Sequence, residues 1–281
     1  IPFSKMVQNV MDNPFIPYAW QVDHKGMQGS EYLDELQAER SKYLWLEGRD
    51  NAVDTARDLN ENEVTKQLAN RLLEPFMYHK VLVSGTEWEN FFNLRCPNYS
   101  WVRNIAAGFK SRKEMIKAWT DNSLTGLPEQ DDVLGWLKIN TGQADIHMMF
   151  LAEAIYDAMN ESTPNKLLEE QWHIPYGDNI DKAEIASIFE TEGGKLLGTT
   201  GELPDGVYEE YATKISIARC ARLSYQTLGD NPVIDYEKDL QLYEVLTSNG
   251  HASPTEHVAR VMTNEEYKSY FKQTGLKSEL G

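Results

Sequence analysis

Two cysteines and six histidines are the first places to look for chemistry in this 281-residue chain. Cys96 directly follows Arg95, and a neighbouring guanidinium draws a thiol towards the reactive thiolate, so Cys96 is a candidate nucleophile. No histidine is identifiable from the sequence as its partner base. His251 and His257 form a close pair, but their spacing does not set both on one helix face for a metal. The chain holds neither an HExxH helix nor a GxSxG turn, and it lacks the GxGxxG and GxxxxGK[ST] loops that cradle phosphates. Two arginines are more informative. Arg71 opens the run Arg71-Leu-Leu-Glu-Pro75, and Arg95 stands with Trp88, Phe91 and Phe92 at i, i+3, i+4 and i+7, the spacing of one helix face. A guanidinium at the end of an apolar face is costly unless an anion or polar ligand answers it. That answer is either a bound ligand or a nearby carboxylate such as Glu74 or Glu87.

The elements that must position these residues are mostly helical. From about Glu47 to Met77 apolar residues recur at helical steps, with Val64, Leu68, Leu72 and Phe76 four apart until Pro75 kinks or ends the helix. A short β-like run, Val81 to Val83, precedes the Trp88 to Arg95 helix. Residues 97–142 carry irregular Gly and Pro punctuation and read as an insertion. Ile146 to Met159 resumes a helix, with Pro164 beyond its stop. Between Glu161 and Glu210 stand 12 acidic and 3 basic residues, the pattern of a solvated acidic excursion. Lys214 to Tyr225 reads as a strand followed by a turn or short helix. Tyr236 to Asn249 reads as a helix closed by Gly250, and Thr263 with Glu266 forms a capping box for a last helix. The expected fold is α/β or α+β and helix-rich, a single domain over 1–281 with a twisted, mainly antiparallel sheet packed against long helices.

Five stretches, read together, resemble one family. The stretch Ser84 to Arg95 is similar to the substrate-side helix of flavin-dependent thymidylate synthases. Ala69-Asn-Arg71-Leu-Leu-Glu-Pro75 resembles the arginine-bearing helix upstream of it in that family, and Gln143-Ala-Asp145-Ile146 resembles the family's Gln-x-Glu-Ile helix start. Arg219-Cys-Ala-Arg222-Leu-Ser224-Tyr225 and Gly250-His251-Ala-Ser253-Pro254-Thr-Glu256-His257 resemble two further family blocks, here near the C-terminus in the permuted order of phage-type relatives. The resemblance implies transfer of a one-carbon unit from methylenetetrahydrofolate to C5 of dUMP, with FAD as reductant and NADPH recharging it. It implies that Arg95 contacts the uracil as the catalytic residue, that Arg71 binds the nucleotide, and that Asn90, His251 and Ser253 contact the flavin. It implies a homotetramer with shared active sites in a bacterial or phage-infected cytoplasm.

The family's Arg-His-Arg hallmark is missing, and Ser84 stands where relatives carry Asn. The first residue is Ile1, so the expectation is that the hallmark segment lies upstream or on another polypeptide. A pyrimidine-nucleotide hydroxymethylase on the same scaffold, and a catalytically silent nucleotide-binding or assembly module, are the alternatives. Composition sets outer bounds. A net charge of −17 and a pI near 4.8 disfavour sequence-independent binding to nucleic acid or anionic membrane. Mean hydropathy is −0.54, and no apolar run reaches the length of a membrane-spanning helix. Two cysteines are too few for a disulfide framework or a cysteine-rich zinc site, which fits a reducing cytoplasm.

Overall fold

The computed structural model describes residues 2–25, 31–100, 108–122, 125–142, 144–198, 201–223 and 235–274. The chain divides into two compact units, one of residues 1–78 and 85–164, the other of 79–84 and 165–281. Both are built mainly from helices, in keeping with the helix-rich expectation. The antiparallel sheet, however, is minimal: β1 (Trp172–His173) pairs with β2 (Ala259–Arg260), and the other strand pairings among the described residues are isolated bridges. The sheet is antiparallel, as expected, and most of the packing is helix on helix.

In the first unit, α1 (Phe3–Asp12) and α2 (Glu35–Glu61) close on the 3-10 turn Asn70–Phe76. Met6, Val7 and Val10 from α1, Val53 and Ala56 from α2, and Leu73 and Phe76 from the turn form one core cluster. The sequence pattern misplaced two features here. Helix α2 begins at Glu35, well before Glu47, on the Asp34 carboxylate, which accepts a bond from Gln37 N at 2.8 Å. The expected long helix is also broken. Glu63 takes φ 60°, the short α3 (Lys66–Ala69) follows, and the 3-10 turn then shifts the phase. Ala69, Leu73 and Phe76 are consequently buried, while Leu68 and Leu72 are exposed. Three residues per turn, with Pro75 inside the element, account for the change of face.

The rest of this unit holds α4 (Glu89–Arg95), α5 (Arg112–Asp121), α6 (Val133–Ile139) and α7 (Ile146–Glu161). Phe92 and Cys96 pack with Ala152 of α7, flanked by Phe91, Ile155 and Tyr156. The span 97–142, expected as an insertion, carries its own cluster of Tyr99, Met115 and fully buried Trp136.

The second unit contains α8 (Lys182–Thr191), α9 (Val207–Ala221), α10 (Tyr236–Ser248) and α11 (Asn264–Thr274). The span Lys214 to Ala221, expected to open with a strand, is helical. Ile215 and Ile217 alternate as a strand would, but the helix starts earlier, after Gly206 at φ 80°, and buries Tyr211, Ala212, Ile215 and Ala218 at helical spacing. Ile180 and Ile185 join that core, so the acidic stretch 161–210 is also a packing element. Part of its charge, and of the chain's, has a structural use. Asp34, Asp132, Asp145, Asp181 and Asp235 each cap the first turn of a helix through their carboxylates. The expected capping box is present as well: Thr263 Oγ1 accepts from Glu266 N, and Thr263 N donates to Glu266 Oε2.

Candidate functional site

The arginine-bearing segments lie in the first unit. Helix α4 is held by its aromatic residues: Phe92 meets Tyr156 edge-on with centroids 5.3 Å apart, and Trp88 stacks on Phe92 at 6.1 Å. Because the helix starts only at Glu89, Phe92 alone is fully buried, and Arg95 is exposed, not half in the core as its spacing suggested. Among the described residues Arg95 forms no ion pair. Asn90 is exposed one turn from Asn93, whose side-chain oxygen accepts a bond from Lys110 Nζ at 2.6 Å. Arg71 sits on the 3-10 turn with its guanidinium 3.6 Å from Glu74, both exposed, so its answering group is the carboxylate three residues on.

Cys96 is buried at the end of α4, and burial pushes its thiol up to about 11, with the nearby Lys110 ammonium opposing. The cation that reaches this sulfur is Lys110, not Arg95. At neutral pH Cys96 is a packed thiol and a poor nucleophile. Its alkylation by iodoacetamide near pH 8 should run on the order of a hundredfold slower than that of a free cysteine. Peptide mass spectrometry over a time course checks this; equal rates would show an open thiolate.

The second unit holds the other blocks. Helix α10 ends in a Schellman motif: Gly250 takes φ 72°, Gly250 N donates to Thr247 O at 3.1 Å, and His251 N donates to Leu246 O at 2.9 Å. The Gly-His pair thus has a helix-terminating role, and the His251 side chain is exposed beyond it. Ser253, also exposed, starts the 3-10 turn Ser253–His257. At the far end of that turn, His257 Nδ1 lies 3.0 Å from Ser84 Oγ. Both residues belong to matched blocks, yet nothing in their separate spacings announced the pair.

Arg219 and Arg222 converge on Asp239, at 3.4 Å and 2.9 Å. Arg219 also donates to Tyr176 O and Arg222 to Lys238 O, both at 2.9 Å. Burial pushes the Asp239 carboxyl up, with Arg222 and then Arg219 opposing. These arginines are therefore committed to the fold. Gln143, Ser224 and Tyr225 of the matched blocks lie outside the described residues.

Family models, curated proteins and solved structures all give no match to this chain. A flavin ring needs polar groups to orient it and apolar walls to exclude water. Asn90 in the first unit, and His251 and Ser253 in the second, are exposed polar side chains and line neither of the grooves described below. Among the described residues no three His, Cys, Asp or Glu side chains gather around a metal position, and no helix is long and apolar enough to cross a membrane.

The largest concavity described lies elsewhere in the second unit. It is a groove of about 960 Å³ with Trp172, Tyr208 and Tyr243 in its walls. A smaller one of about 540 Å³ shares Asp205, Tyr208 and Glu209 with it. Sequence reasoning singled out none of these residues. The concentration of carboxylates between Glu161 and Glu210 was the available signal, and it read as solvation.

Proposed function

We propose that the chain takes part in the reductive methylation of dUMP to dTMP, with methylenetetrahydrofolate as carbon donor and FAD with NADPH as reductant. The observation that carries this reading is the set of sequence stretches that resemble the family, with Arg95 as an exposed cation that forms no ion pair among the described residues, on a helix anchored by Phe92. A guanidinium in that state is available to the uracil ring. Placed against O2 and N3, it favours ionisation at N3 and so loads electron density onto C5, which attacks the carbon donor. Arg71, a weakly held surface cation beside Glu74, serves the nucleotide phosphate. The flavin would require ring-covering groups beyond Asn90, His251 and Ser253. A homotetramer with shared sites, in a bacterial or phage-infected cytoplasm, belongs to the same reading.

The commitment of Arg219 and Arg222 to Asp239 favours a second reading, a module that keeps the scaffold without turnover. Incubation of the protein with dUMP, methylenetetrahydrofolate, FAD and NADPH, followed by mass spectrometry of the nucleotide pool, separates the two. With a peptide carrying the family's Arg-His-Arg segment added, the expected product is dTMP, and a hydroxymethyl product would move the assignment to the hydroxymethylase. Arg95→Lys should lower turnover by about tenfold or more with the melting temperature unchanged, because an ammonium lacks the planar fork. Absence of any C5-substituted nucleotide supports the silent module.

A further inference from the structure

We propose that the second unit binds a linear organic polyamine, with ammonium groups separated by methylenes, in the groove beside the first turn of α9. Its volume of about 960 Å³ stands at the upper end of small-molecule sites, which suits an extended ligand over a compact one. Its charge selects a cation. Carboxylates of Glu170, Asp205, Glu209 and Glu210 line it against a single lysine, Lys214. That lysine is spoken for, since its Nζ lies 2.7 Å from Glu210 Oε1. An anion would meet no free positive group there. Glu170 is partly answered by the nearby Arg260, on which its charge acts, whereas Asp205 and Glu209 form no ion pair among the described residues. These two are the carboxylates left for a ligand.

The protein's own lysines show how ammonium groups are held in this unit. Lys214 Nζ lies 5.5 Å from the Tyr211 ring centroid and 5.8 Å from that of Tyr243, with Glu210 supplying the counter-charge. Lys182 Nζ lies 4.8 Å from the Tyr208 centroid. Aromatic faces combined with carboxylates are the chemistry that recognises alkylammonium ions. Trp172, 37% exposed on β1, adds an aromatic wall with no lysine over it among the described residues. Leu167 and Ile174 offer apolar surface to the methylenes between charges.

Calorimetric titration of the full chain with spermidine at low ionic strength tests the proposal. The expected result is saturable one-to-one binding, weakened at least tenfold in Asp205→Asn/Glu209→Gln and severalfold in Trp172→Ala. The control Glu47→Gln/Glu61→Gln removes the same charge from exposed positions on α2 and should leave the affinity unchanged. All substituted carboxylates are exposed, so circular dichroism should report intact folding throughout. Absence of binding, equal weakening in the control, or an affinity indifferent to Trp172 would overturn the assignment in favour of non-specific attraction to a chain of net charge −17.

Discussion

Glu153→Ala is expected to lower the stability of the first unit by about 3–5 kcal/mol, the range for breaking a buried charge pair from one side. The Glu153 side chain is only 3% exposed in the middle of α7. One oxygen accepts from the Arg112 backbone N at 2.5 Å and from Arg112 Nε at 3.0 Å, and the other accepts from the Tyr99 hydroxyl at 3.3 Å. Burial, then the Glu153 charge, push the Tyr99 hydroxyl up, so it remains a donor. Truncation strands that hydroxyl and the first backbone N–H of α5, and it unties α5 from α7. Glu153→Gln keeps an acceptor and should be milder, and adding Tyr99→Phe to the alanine variant should recover part of the loss. Urea unfolding followed by tryptophan fluorescence reads this unit selectively, because of the seven tryptophans only Trp172 belongs to the other one. A loss under about 1 kcal/mol would show that water replaces the carboxylate without penalty.

The counterpart in the second unit is Asp239→Ala, expected to be destabilising by about 3 kcal/mol. The Asp239 and Arg219 side chains are 7% and 12% exposed, so removing the carboxylate leaves a buried guanidinium without counter-charge. Arg222, at 25%, is nearer to water and contributes less. The upward push on Asp239 indicates that two arginines do not fully offset its burial. Keeping the charges is then worth little beside an apolar replacement, while splitting them is costly. The double variant Arg219→Met/Asp239→Leu should accordingly be more stable than Asp239→Ala. Urea unfolding followed by the far-ultraviolet helix signal checks the order, and a double variant weaker than the single one would contradict it.

Elements with one dominant apolar stripe and clear punctuation were legible in the sequence. Helix α7 was marked by Ile146, Phe150 and Pro164, and α10 by Gly250. Helix α9 was misread because Ile215-Ser216-Ile217 satisfies both periods, and only the stretch from Val207 onwards decides between them. The start of α2 was hidden because Leu36, Tyr43 and Leu44 are exposed, so its early turns run against the burial pattern. At the candidate site, the i,i+3 pairing of Arg71 with Glu74 was readable as an alternative. The setting of Arg95 was not, since it depends on where α4 begins. The groove was illegible for a further reason: residues near 172, 205–214 and 243 become neighbours only through the packing of β1, α9 and α10.

The assignment of residues 79–84 to the second unit, marked by the bond between Ser84 and His257, bears on how the chain is made. Those residues are synthesised between two stretches of the first unit, yet their partner comes 173 positions later. At about 5–20 residues per second, roughly ten to thirty-five seconds separate the two on a translating ribosome. The first unit can close its core around a bridge whose far end has not yet been made, so the order of emergence favours assembly from the first unit to the second. Val81 and Val83, at 73% and 62% exposure in the finished fold, lie in that waiting segment. Both stay exposed once the fold is finished, so the wait leaves no apolar surface there that later packing would cover.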